Sequence, residues 1–121
     1  MMKLDGVQNH FSRYLQVGGF PELALASNDL MAQQIMREDV VDKVLKRDLP
    51  SLYKIRSATE LERIFLYLCN VSSEIVSFTA IAKELSGVSR PTVESYINYL
   101  ESANLIYQSW PVEMGGRKVL K

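Results

Sequence analysis

The residues best placed to do chemistry lie along one short helix near the end of the chain. Ser89, Arg90, Thr92, Glu94, Ser95 and Asn98 occupy the outward side of a stretch whose other side carries Val93, Tyr96, Ile97 and Leu100. Arg117 and Lys118 follow close to the last residue. This is nucleic-acid chemistry: Arg90 can bond guanine and Asn98 adenine in a major groove, or either can bond phosphate. Ser89, Thr92 and Ser95 add hydroxyls within reach of the same groove, and Arg117 and Lys118 add cations beside it. Glu94, in the middle of the face, repels backbone phosphates.

Other chemistry is missing. His10 is the single histidine, so neither a histidine-based metal cluster nor a nearby Cys/His pair can be assembled. No GxxxxGK[ST] loop and no GxGxxG fingerprint occurs. The carboxylates are spread at helix-surface spacing. No catalytic residue, cofactor site or metal site is expected in this chain, and it is not expected to be an enzyme by itself.

The elements that must position these residues run from Ser77 to Leu105. Phe78, Ile81, Ala82 and Leu85 recur at i, i+3, i+4 and i+7, which marks one helical face, and Ser77 precedes them as a cap. Gly87 can take the left-handed conformation that ends a helix. Ser89 caps the next helix, and Pro91 suits its first turn because no amide donor is needed there. Helix, glycine turn and capped helix make a helix-turn-helix. Leu105 to Trp110 is rich in strand-favouring residues, Met114 to Arg117 supplies a turn, and Lys118 to Lys121 begins a returning strand. Together they read as a winged helix whose wing stops early.

Upstream, Thr59 and Glu62 form a capping box, and Leu61, Ile64, Phe65 and Leu68 repeat the helical stripe. This helix is expected to complete a three-helix core. Val7, Phe11, Tyr14 and Leu15 give a first helix an apolar face, and Gly18-Gly19-Phe20-Pro21-Glu22 ends it. The corner can be a simple turn, or a place where backbone approaches a ligand or partner. After a cap at 27–29, a second helix is expected from about Leu30 to Asp48, with Asp39–Lys43 and Asp42–Lys46 as i, i+4 pairs. Pro50 is expected to stop it. The fold class is therefore mainly α: two helices over residues 1–56, then a winged helix-turn-helix over 57–121 with a three-helix core and a short, truncated β-wing.

Bulk composition sets limits on these readings. With 121 residues, 47% of them hydrophobic, the chain can bury a core. No run is long enough to span a bilayer, the N-terminus lacks a signal pattern, and a cytoplasmic location without a membrane partner is expected. Cys69 alone cannot form an intrachain disulfide; its apolar helix suggests a buried, inert thiol. Basic and acidic residues balance at fourteen each, and from Phe78 onward five basic residues meet four acidic ones. A dedicated DNA-binding domain usually carries a clear basic excess. The fold points to DNA; the charge does not.

Phe11-Ser12-Arg13-Tyr14-Leu15 leading into Gly18-Gly19-Phe20-Pro21-Glu22, a long helix ending Lys46-Arg47-Asp48-Leu49, and Pro91-Thr92-Val93 with Tyr96 to Glu101 stand in a telling order. Their succession resembles the prokaryotic AAA+-type ATPases that carry a C-terminal domain of unknown function. In that family an ATP-binding domain precedes a helical segment and a winged helix, and a restriction-endonuclease-like region usually follows. The resemblance implies a non-catalytic C-terminal fragment of such an ATPase. ATP and magnesium then belong to the missing domain, and the ATP-binding and nuclease-like domains are partners. The corner at 18–22 would lie in a lid-like region beside the ATPase core, and Arg47 and Asp48 match the family's Arg-Asp pair, with a structural role such as tethering the helix to the winged helix.

Three functions follow. The winged helix contacts double-stranded DNA or regulates the ATPase; or it is a protein-docking and oligomerisation module, with a homodimer as one form; or the chain is a free-standing transcriptional regulator, which ranks last. The balanced charge, Glu94, and the exposed apolar side chains expected at Tyr107, Trp110 and Met114 favour the second.

Overall fold

Gly18 directs the course of the N-terminal chain. Helix α1 (Leu4–Val17) ends where Gly18 takes φ +76°, its amide donating to the Tyr14 carbonyl at 2.8 Å. That dihedral is open to glycine and strained for residues with a Cβ. One helical turn follows, α2 (Pro21–Ala24), with Pro21 in its first turn. A computed structural model describes residues 4–111 of the chain, their side chains from Gly6 onward, as two compact units that divide between Glu62 and Arg63.

In the first unit, Val17, Leu23 and Ala32 form a small core, with Ala26, Ile35 and Met36 packed around it. The corner is tied down by Arg13. Its Nε donates to Asp29 Oδ1 at 2.9 Å, one terminal nitrogen donates to the Ala24 carbonyl, and the other donates to the carbonyls of Ala26 at 2.8 Å and Leu23 at 3.5 Å. These carbonyls lie at and just past the end of α2, where a helix leaves acceptors without intrahelical donors. A planar guanidinium serves several of them at once. The apolar stripe of α1 does something else. Val7, Phe11, Tyr14 and Leu15 are each more than half exposed, and Val17 is the buried side chain of that helix. The periodicity marks a helix correctly but not the face that this unit buries.

Asn28 caps α3 (Asp29–Ile35) by accepting from the amides of Leu30 and Met31 at 3.0 and 3.3 Å. The helix continues as wider, π-type turns over Met36–Asp42 and Val44–Asp48, then closes as α4 (Leu49–Leu52). Both expected pairs form, Asp39–Lys43 at 2.5 Å and Asp42–Lys46 at 3.4 Å, and Lys46 also reaches Glu62 at 3.9 Å. Pro50 does not stop the run. It sits in the first turn of α4, where a missing amide costs nothing, because the wide turns before it have already broken the α-helical register. The chain turns extended only at Tyr53.

Helix α5 (Ala58–Asn70) crosses the division between the units. Its cap is Ser57, whose Oγ accepts from the Glu60 amide at 3.2 Å, and not Thr59. Ser57 wins because the helix begins at Ala58, two residues ahead of the start the capping box implies. Cys69 is exposed rather than buried, on the outer side of α5. Partial desolvation still raises its thiol pKa, which keeps the thiolate scarce at neutral pH.

In the second unit, α6 (Phe78–Glu84) packs on α7 (Arg90–Ser102). Ile64, Phe65, Ile81, Leu85, Val88, Val93, Tyr96, Ile97 and Leu100 are its buried apolar residues. Helix α7 ends in a Schellman motif. Asn104 takes φ +56°, its amide donates to the Glu101 carbonyl at 2.9 Å, and the Leu105 amide reaches back to Leu100 at 3.0 Å. Glycine at this position is expected to raise stability by about 0.5 kcal/mol, and Asn104→Val to cost about 1–2 kcal/mol through left-handed strain. Chemical denaturation of the two variants checks both signs.

The fold is mainly α. Among the described residues no strand occurs. Leu105 to Trp110, expected as the first strand of the wing, is irregular; a strand needs a partner for its amides and carbonyls, and among the described residues no strand pairs with it. The expected return at 118–121, and the turn before it, lie outside the described residues.

Candidate nucleic-acid interface

The candidate side chains are held by the two caps and the glycine turn. Ser77 Oγ accepts from the Ala80 amide at 3.1 Å and starts α6. Gly87, at φ +97°, then carries the chain through the turn, and nothing lies within 4 Å of where its Cβ would be. It is glycine for its dihedral, not for space. Ser89 starts α7 by accepting from the Thr92 amide at 3.3 Å, and its Oγ lies 2.8 Å from Thr92 Oγ1. Burial of Val93, Tyr96, Ile97 and Leu100 then turns the opposite side of α7 to solvent.

On that side Arg90, Glu94 and Asn98 are exposed and stand one turn apart. Ser89 is exposed too, while Thr92 and Ser95 are half-buried. The structure therefore divides the sequence-derived set. Arg90 and Asn98 present functional groups at i and i+8 that make no side-chain hydrogen bond among the described residues, with a carboxylate between them. Ser89 and Thr92 spend their hydroxyls on each other and on the cap, so their part is to set the direction of α7. Ser95 lies between the exposed Glu94 and the buried Tyr96. Arg117 and Lys118 lie outside the described residues.

Glu101 is a residue that charge counting misjudges. Its carboxylate accepts from the Gln108 amide at 3.2 Å and from Gln108 Nε2 at 2.7 Å. One of the acidic charges near α7 is thereby engaged in holding the segment after the helix against the helix itself. Tyr107 is 82% exposed and Trp110 54%, so this segment carries aromatic rings into solvent. The pairing of Glu101 with a residue seven positions on, across a helix end, has no periodic signature in sequence.

The Arg47-Asp48 pair closes on itself, Arg47 Nε donating to Asp48 Oδ1 at 2.8 Å. That bond raises the guanidinium pKa further above its ordinary value, and both side chains are substantially exposed. Among the described residues there is no group of three or more metal-ligating side chains. No helix of the described residues is long and apolar enough to cross a membrane.

The architecture is that of a mainly helical protein with a capped helix pair in its second unit. Over residues 8–121 the chain matches the family described as a domain of unknown function, DUF8612, and it belongs to that family. It is 24% identical over 119 residues to a protein of Haemophilus influenzae described as an uncharacterized protein. The match takes in 95% of this chain, which spans 29% of that relative's length. No solved structure matches at a significant level.

Proposed function

We propose that the α6–α7 pair is the DNA-contacting or regulatory helix-turn-helix of a longer AAA+-type ATPase, and that this chain itself carries no catalysis. The observation that carries the reading is the capped start of α7 with Arg90 and Asn98 exposed on its outward face. A recognition helix meets bases through its outward face, and Arg90 in the first turn and Asn98 two turns on carry groups suited to guanine and adenine. The order of motifs along the chain supports the ATPase context, as does a relative more than three times as long as the matched region. In that context ATP and magnesium act on another domain, and movement there changes how this module sits on DNA.

Fluorescence anisotropy of the 121-residue chain with a random duplex, over a salt series, tests the reading. Binding is expected to fall steeply as salt rises, and Arg90→Ala to weaken it by about 1–3 kcal/mol if the guanidinium reads a base. If Arg90 holds phosphate instead, the loss is uniform across sequences and the salt slope drops by about one. Absence of binding at low salt removes DNA from the proposal.

A second reading rests on a different observation. Glu94 lies between Arg90 and Asn98, and Tyr107 and Trp110 are exposed nearby in sequence. Charge balance with exposed aromatics suits a protein interface better than a phosphate backbone. On this reading the unit docks a protein domain or a second copy, and sedimentation shows a concentration-dependent species that Trp110→Ala weakens.

A further inference from the structure

The corner at 18–22 and the wide-turned helix leave a surface cleft of about 440 Å³ within the first unit. Its apolar walls are Phe20 and Leu23 from the corner and Ile35, Met36 and Val40 from the helix. Two carboxylates, Glu22 and Asp39, also line it. They are not equivalent. Asp39 is held by Lys43 at 2.5 Å, whereas Glu22 is exposed and makes no hydrogen bond or ion pair among the described residues. The cleft therefore offers apolar contact beside one uncompensated negative charge.

Its volume is within the range of small-molecule sites, but its mouth is not. Such sites bury most of their ligand, and Phe20, on the rim of this cleft, is 58% exposed. A small molecule seated here would leave much of its surface in water. A side chain presented by a protein segment has no such difficulty, because the residues on either side of it cover the rim. Met36, unbranched and flexible, adapts the floor to different apolar shapes. The turns over Met36–Asp42 place Met36, Asp39 and Val40 on the cleft.

We propose that this cleft docks a protein segment presenting a large apolar side chain next to a lysine or arginine. The apolar side chain packs on Leu23, Ile35, Met36 and Val40, and the neighbouring cation meets Glu22. The site lies wholly in the first unit and does not depend on whether α7 touches DNA.

The test uses the intact chain, labelled with ¹⁵N, and a library of acetylated hexapeptides in which Leu, Ile, Met, Phe or Trp is flanked by Lys or Arg. Library members are expected to bind, with amide shifts confined to Phe20, Glu22, Leu23 and residues 35–40. Replacing the flanking cation by Gln in the best peptide is expected to weaken it about three- to fivefold, the worth of one exposed ion pair. Glu22→Gln is expected to weaken the cationic peptide by the same factor and to leave the Gln peptide unchanged, while Phe20→Ala weakens both. Both substituted residues are exposed, and the shift map on the unsubstituted chain needs neither variant. The proposal is overturned if no library member binds at millimolar concentration. Shifts that map elsewhere overturn it too, as does an equal effect of Glu22→Gln on the cationic and the neutral peptide.

Discussion

Replacing Arg13 with alanine is expected to destabilise the first unit by about 2–3 kcal/mol. The guanidinium bonds Asp29 and the carbonyls of Leu23, Ala24 and Ala26, and each hydrogen bond to a charged group is worth about 1.5–3 kcal/mol when buried. The Arg13 side chain is 33% exposed and that of Asp29 44%, so water replaces part of what is lost and the full sum is not reached. What remains is large for the corner, because the core beneath it, Val17, Leu23 and Ala32, is small. Lysine cannot substitute. It carries a point charge without the planar fork, so Arg13→Lys is expected to recover less than half of the loss.

Thermal unfolding followed by circular dichroism reads the effect directly. For a unit of about 60 residues, 2–3 kcal/mol corresponds to a fall of roughly 10–20 °C. Hydrogen exchange places it: amides between Gly18 and Ala32 should lose protection first. An unchanged melting temperature would mean that water satisfies the α2 carbonyls as well as Arg13 does, and that the corner stands on its apolar contacts alone.

Arg13 also shows where sequence reasoning stops. The capped helix pair α6–α7 was legible because each of its parts is a local rule. Ser77 and Ser89 cap within three residues of themselves, Gly87 needs only its own dihedral, and Val93, Tyr96, Ile97 and Leu100 follow helical spacing. Asp39–Lys43 and Asp42–Lys46 are equally local. Arg13, by contrast, works at separations of ten to sixteen residues, and no pattern in its own neighbourhood distinguishes it from a solvated helix cation. The α1 stripe misled for a related reason. Spacing shows that Val7, Phe11 and Tyr14 share a face; it does not say what that face meets, and in this unit they stay exposed.

Pro50 and the strand expected at Leu105 to Trp110 departed from expectation on context rather than range. Proline ends a helix by removing one donor, and that rule lapses where the preceding turns are already wide. Strand propensity at Leu105 to Trp110 is a statement about side chains, whereas a strand exists through its partner. Of the candidate interface, the direction of α7 and the exposure of Arg90, Glu94 and Asn98 could be read in advance. The tie between Glu101 and Gln108 could not, and it changes which charges remain to meet a ligand.

That change makes Glu94 the decisive position, and Glu94→Lys is expected to tighten duplex DNA binding about tenfold at moderate salt if α7 is a DNA-facing helix. Glu101 is already engaged by Gln108, so Glu94 is the acidic side chain left exposed between Arg90 and Asn98. Against phosphate it is repulsive; reversing it removes the repulsion and adds a contact, and the salt slope should steepen by about one. Its exposure and helical position make the substitution nearly neutral for folding. The protein-docking reading requires the opposite. There Glu94 complements a partner, and the lysine variant should bind DNA no better while the concentration-dependent species weakens. One variant measured in both assays therefore separates the two functions, because reversing this charge cannot improve both kinds of contact.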